Sequence, residues 1–258
     1  MFFLFDGHEI HFSDDGQGEA LLLLHGLGGN ALNWTYQRQY FATRRRVICV
    51  DLPGHGKSGG KDIPFTGYGR VVLALLDHLR IDRCALVGLA KGARVGIEVA
   101  ARWPARVSAL VAVNTCLHLD PADHTSRVAL YDVLVRGAEG KVAWATELLD
   151  RMAIPEGTRI HRGFMRSLDT LDAAHVRTLF QEILDHDQRQ EAAAVACPTL
   201  LIRGGRDGLV PAYCHEVLQA AIPDCTSEVF DDCGHLPYLE SPDRFNRAVE
   251  TFLARDGA

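Results

Sequence analysis

The sequence has no apolar stretch near the ~18 residues a membrane-crossing helix needs, so no transmembrane segment is expected. Its apolar start, Met1-Phe2-Phe3-Leu4-Phe5, has no basic region and is cut short by Asp6-Gly7. It is therefore not read as a signal peptide. A basic stripe is also missing, and the net charge is −6. Nucleic acid and anionic membrane are therefore not expected partners. No CxxC pair occurs among the seven cysteines, and their number is odd. Reduced thiols in a cytoplasmic protein are the simpler expectation. His8 and His11, or Cys214 and His215, do not make a full ligand set with metal spacing, so no metal is expected. Gly56-Lys57-Ser58 is not a phosphate loop, because the glycine required five residues earlier is Asp51. Internal repeats and low-complexity linkers are absent, and the sequence carries no signal of oligomeric state.

What is present is a soluble-protein composition, 47% hydrophobic and 23% charged, on a chain long enough to bury roughly 70–75% of its unfolded surface. Over the first 115 residues, strand-like and helix-like segments alternate. Glu9–Ser13, Ala20–His25, Arg46–Asp51, Cys84–Gly88 and Val107–Asn114 read as strands. Ala31–Phe41, Gly67–Leu79 and Lys91–Arg102 read as helices. Near-continuous apolar strands joined by helices indicate an α/β fold with a mostly parallel sheet covered on both faces.

The pattern then changes. Residues 117–195 carry helical patterning only, in Val128–Val135, Val142–Met152, Phe164–Leu168 and Ala173–Asp185. Strands return at Thr199–Arg203 and Thr226–Phe230, with helices at Pro211–Ala221 and Pro242–Ala254. The expected organisation is one core domain, residues 1–116 and 196–258, with a helical cap inserted at 117–195.

The strand Cys84–Gly88 runs into Gly88-Leu89-Ala90-Lys91-Gly92 and at once into a helix. That is the strand–turn–helix setting of a nucleophile elbow, G-x-S-x-G, with alanine at the centre. Asp207 follows a later strand within Gly204–Pro211, and His235 follows the last strand in Cys233-Gly234-His235-Leu236-Pro237. All three positions lie past the C-terminal ends of strands, where open α/β sheets bind ligands. In such a constellation His235 is the general base and Asp207 holds its tautomer. The backbone N–H groups of Leu27 and Lys91 hold the oxyanion.

These motifs, with His25-Gly26-Leu27-Gly28-Gly29, Asp51–Ser58 and Glu240-Ser241-Pro242, make the chain resemble the α/β-hydrolase family over essentially its whole length. The likeness is greatest to small bacterial esterases and lactonases of the 3-oxoadipate enol-lactonase kind. The resemblance implies an α/β-hydrolase fold and a cofactor-free hydrolase of a small or medium carboxylic ester or lactone. Hydrolysis of thioesters or activated carbon–carbon bonds is an alternative.

The departure is Ala90, which has no hydroxyl to form an acyl-enzyme. Two readings stand. Alanine is an inactivating Ser-to-Ala substitution in a hydrolase, or it belongs to a binding protein for small molecules or to an enzyme of another reaction type. Trp34, Trp144, Phe164 and Leu236 are candidate pocket residues, with packing as the plainer role for the aromatic ones. The Lys91 side chain is expected to be solvated, and Arg94 to be a helix-surface charge. His25 is expected to brace the oxyanion loop. A remote rival is NAD(P)-dependent oxidoreduction, because Gly26, Gly28 and Ala31 fit G-x-G-x-x-A after a strand and Asp51 ends the next one.

Overall fold

The computed structural model describes residues 1–255. Eight strands form one sheet: β1 (Phe2–Phe5), β2 (His8–Asp15), β3 (Ala20–Leu24), β4 (Arg46–Val50), β5 (Cys84–Leu89), β6 (Val107–Val113), β7 (Thr199–Gly204) and β8 (Cys225–Phe230). Their spatial order is β1-β2-β4-β3-β5-β6-β7-β8. The β1–β2 and β2–β4 pairs are antiparallel. Every pair from β4 to β8 is parallel.

The apolar runs divide their residues between two faces, because successive side chains in a strand point to opposite sides. Leu22, Leu24, Ile48, Val50 and Leu86 enter one core. Leu21, Leu23, Val47, Cys49, Ala85 and Val87 enter the other. The helices are α1 (Thr35–Phe41), α2 (Tyr68–His78), α3 (Lys91–Arg102), α4 (Pro121–Leu134), α5 (Gly137–Arg151), α6 (Arg159–Ser167), α7 (Ala173–Asp185), α8 (Arg189–Ala193), α9 (Ala212–Ala221), α10 (Pro237–Glu240) and α11 (Pro242–Arg255). Val71, Val72, Leu75 and Leu76 of α2 and Val95, Ile97 and Val99 of α3 cover the first face. Phe41 of α1 and Phe245, Val249 and Phe252 of α11 cover the second.

Helices α4 to α8 fill the chain between β6 and β7. Leu130, Tyr131, Trp144, Leu148 and Phe180 from this block share the second core with sheet residues. Tyr131 and Phe180 stack with ring centres 3.6 Å apart, which ties α4 to α7.

Several segments differ from the sequence reading, and α4 and α6 begin earlier than expected, at Pro121 and Arg159. Ala31–Phe41 is a short 3₁₀ turn, Ala31–Trp34, followed by α1. The N-terminal apolar stretch is an edge strand on β2. Arg189–Ala193 forms an unforeseen short helix. Its residue pattern is too short for periodicity to reveal.

Candidate active site

The turn at residues 88–92 is dictated by sterics. Ala90 has φ 46° and ψ −108°, a region that L-residues occupy only when the surroundings hold them there. The Ala90 N–H donates to the Val113 carbonyl at 2.9 Å, and the Thr115 hydroxyl donates to the Ala90 carbonyl at 2.9 Å. A Cβ at Gly88 would overlap the Ala93 backbone, and one at Gly92 would overlap the Leu24 carbonyl. Only glycine lets α3 close so tightly onto β5 and β3. The turn presents residue 90 at the C-terminal edge of β5 and at the start of α3. There the helix N-terminus favours negative charge. As the first residue of α3, Lys91 has no intrahelical acceptor for its own N–H.

Asp207 and His235 meet in this region. His235 Nδ1 lies 2.7 Å from Asp207 Oδ2, and both side chains are buried. The second carboxylate oxygen, Oδ1, accepts from the Leu209 and Val210 amides at 2.8 and 3.1 Å. Asp207 is therefore an anchored acceptor, and His235 Nδ1 is the donor. That leaves Nε2 as the free nitrogen of the ring.

The loop carrying His235 is held from three sides. Its N–H donates to Met152 O at 2.9 Å. Glu240 accepts from the Gly234 and Leu236 amides at 2.8 and 2.9 Å. Burial pushes the Glu240 carboxyl up, against the lowering effect of those two amides. Asn114, just past β6, donates to the carbonyls of Gly234 at 3.1 Å and His235 at 2.8 Å. Its side-chain oxygen accepts the Gly204 N–H at 2.9 Å. Asn114 thus fastens β6, β7 and the His235 loop together.

A cavity of about 600 Å³ opens between the sheet edge and the inserted helices. Leu27, Ala90, Lys91, His235 and Leu236 line it from the core, and Phe164 and Phe180 line it from the insertion. Trp34 and Trp144 are corrected to packing residues, outside that lining. The Trp34 ring is fully buried, 4.4 Å from Tyr238 between ring centres. Trp144 packs on Tyr131 and Phe164 at 5.6 and 5.9 Å. Their size makes them efficient core fillers.

Two expectations about cations are overturned. The Lys91 side chain is buried, with Nζ 3.2 Å from His55 Nε2 and 5.3 Å from the centre of the Tyr68 ring. His55 Nδ1 lies 2.8 Å from the Pro53 carbonyl and so donates there, which makes Nε2 the acceptor for Lys91. Burial holds the Lys91 amine well below its ordinary value. Burial first, then Lys91, does the same to His55 and His25. His25 donates from Nδ1 to Gly26 O at 2.7 Å and accepts the Leu52 N–H on Nε2 at 3.0 Å. It braces the loop carrying Leu27.

Arg94 is not a surface charge but 2% exposed. It donates to Gln188 at 2.7 Å, to Ile183 O at 2.6 Å, and to the Leu117 and His186 carbonyls. Its helical position gave no sign of this, because three of the four acceptors lie 89 to 94 residues along the chain.

The dinucleotide reading fails on Asp51. Its carboxylate is consumed by the Ala31 and Lys57 amides at 2.6 and 2.9 Å and by His11 at 2.9 Å. With both oxygens engaged and the side chain buried, it is not presented to a ribose. Among the described residues, no group of three or more His, Cys, Asp or Glu is placed to hold a metal ion. No helix among them is long and apolar enough to cross a membrane.

The model of the "Alpha/beta hydrolase family" matches residues 21–248. The chain belongs to the α/β-hydrolase family. The chain is 34% identical over 246 residues to the Klebsiella pneumoniae (strain 342) protein named "Putative carbamate hydrolase RutD", covering 91% of each chain. It is 28% identical over 254 residues to 3-oxoadipate enol-lactonase 2 of Acinetobacter baylyi, covering 95% of this chain and 93% of that one. A hydrolase structure from Pseudomonas aeruginosa superposes with a TM-score of 0.87 at 28% identity, covering 98% of this chain and 97% of that one. These relatives of the α/β-hydrolase chain all bear hydrolase names.

Proposed function

We propose that this α/β-hydrolase takes a small or medium carboxylic ester or lactone into the cavity beneath α4–α8, and that Ala90 closes its acyl-enzyme route. The observation that carries this is a paired, buried His235–Asp207 on the same cavity as an elbow whose residue 90 ends in a methyl group. The enol-lactonase and the RutD protein named above support an acyl carbonyl as the reacting group. Residues 117–195 act as the cap, and the reaction uses no metal or organic cofactor.

With serine at 90, His235 Nε2 takes the hydroxyl proton as oxygen attacks the carbonyl carbon. The Leu27 and Lys91 amides hold the oxyanion, and His235 returns the proton to the leaving alcohol. Water then repeats the sequence on the acyl-enzyme. With alanine, the pocket, base and oxyanion amides remain but the attacking oxygen is absent. In a comparable triad, losing the nucleophile lowers turnover by about 10⁶-fold.

The test is Ala90→Ser, assayed on 4-nitrophenyl acetate and on a panel of lactones, thioesters and carbamates. Turnover is expected to appear, and His235→Ala added to Ala90→Ser is expected to remove it. Silence of the serine variant on every compound would replace this reading with a binding protein that uses the same cavity without turnover.

A further inference from the structure

The cavity wall opposite the sheet contains a buried cation that the Asp123 and Asp207 carboxylates influence without pairing with it. Arg127, on α4, lines the cavity and is 4% exposed. It makes one hydrogen bond, from Nη2 to Gly208 O at 3.2 Å. Its Nε and Nη1 are buried without an acceptor. Among the described residues it makes no ion pair within 4 Å. A guanidinium cannot shed its proton to escape such a place. Burying it with three N–H bonds unmade is unfavourable unless something supplies acceptors.

The other charges around the cavity leave that role to a ligand. Arg94 has its donors taken by Gln188 and backbone carbonyls. Lys91 Nζ faces His55. Among the described residues Glu240 is the one carboxylate of the lining, and both of its oxygens are held by backbone amides. Arg159 stands exposed at the start of α6, its guanidinium 5.9 Å from the Tyr36 ring, and adds positive charge to the same lining. Asp207, one residue from Gly208, is already engaged by His235 and two amides. An open, cation-lined cavity beside the triad acid therefore carries unpaired donors, and among the described residues no carboxylate of its lining is left to accept them.

We infer that Arg127 is the recognition residue for a carboxylate on the substrate, so that the site takes acidic esters or lactones in preference to neutral ones. This rests on the proposed hydrolase reading and names the substrate class within it. The carboxylate oxygens accept from the donors of Arg127 that the protein leaves bare. Because Arg127 hydrogen-bonds the residue after Asp207 and lines the same cavity as Ala90 and His235, the anionic end and the reacting carbonyl share one pocket. The bound carboxylate also replaces the water that the guanidinium loses on burial.

The test uses Ala90→Ser with and without Arg127→Met, assayed on 4-nitrophenyl acetate and on the mono-4-nitrophenyl esters of succinate, glutarate and adipate. At least one acidic ester is expected to have the higher kcat/KM in Ala90→Ser. Arg127→Met is expected to lower that value by on the order of 100-fold, the usual loss when one partner of a buried charge pair is removed, and to change 4-nitrophenyl acetate by less than about 3-fold. Arg127→Lys keeps the charge and is expected to recover part of the preference. A residue that only propped up the Asp207 loop would lower both ester classes together, and that result would overturn the assignment. So would a neutral ester preferred over all three acidic ones by an active serine variant. If the serine variant hydrolyses nothing, the hydrolase reading fails instead, and binding remains to be judged separately. For that, glutarate is added to the unaltered chain in a thermal melt. A rise in Tm that Arg127→Met abolishes supports the anion site, and no rise at 10 mM counts against it.

Discussion

Replacing Asn114 with alanine tests the idea that one neutral amide assembles the site. The side chain makes three buried hydrogen bonds: two donated, to Gly234 O and His235 O, and one accepted from Gly204 N–H. Truncation leaves three buried backbone groups short of a partner, at about 1–3 kcal/mol for each group that relaxation or water cannot satisfy. The residue also sits at φ 41°, a conformation asparagine tolerates better than alanine. Some carbonyl capacity will be recovered by water, so the expected loss is about 4 kcal/mol. For a chain of this size that is a fall in Tm of roughly 8–16 °C. Urea denaturation and a thermal melt measure it, with Thr115→Val as the control. That control gives up a single bond to Ala90 O and is expected to lose about 1 kcal/mol. Asn114→Asp sharpens the test. Its carboxylate keeps the acceptor for Gly204 but turns negative oxygen toward two carbonyls. At pH 8 it is expected to be at least as unstable as the alanine variant. Its folded-state carboxyl is then harder to ionise than in the unfolded chain, so stability returns as the pH falls and is lost as it rises. A loss below 1 kcal/mol for Asn114→Ala, or an aspartate variant as stable as the parent at pH 8, would refute this account.

Two further outcomes are expected. Arg94→Met strands the carbonyls of Ile183 and His186 and the Gln188 amide oxygen. It is expected to lower stability by about 3 kcal/mol or more and to open the α7–α8 region to limited proteolysis; unchanged cleavage would count against the role given to Arg94. The buried His55 is held below its ordinary value by burial and by Lys91. The unfolded chain therefore binds a proton that the folded chain refuses, and stability falls as the pH drops through the unfolded value near 6.5. Removing that group in His55→Gln is expected to make the fall between pH 6 and 5 shallower by about 1.4 kcal/mol per pH unit; parallel curves for parent and variant would show that His55 is free to protonate.

Much of the frame was legible in the chain itself. The apolar runs at 20–24, 46–50, 84–89, 107–113 and 199–204 are strands because both faces of a parallel sheet are covered, so their central positions are nearly all apolar. The glycines flanking residue 90 marked the elbow, since the backbone approaches there exclude any side chain. Asp207 and His235 were legible because local motifs after strands carry them. What tertiary structure alone decided are the partners of buried polar groups. Lys91 and Arg94 look like solvated charges on a helix face, and they are buried because His55 and the distant insertion supply their neighbours. Trp34 and Trp144 were open to either a pocket or a packing role, and they are core. Arg127 gives no signal at all in a run of helical residues. Hydrophobic periodicity is a local property, repeating within one element. A buried charge is defined by acceptors that are present or missing across the fold, and only folding brings those together.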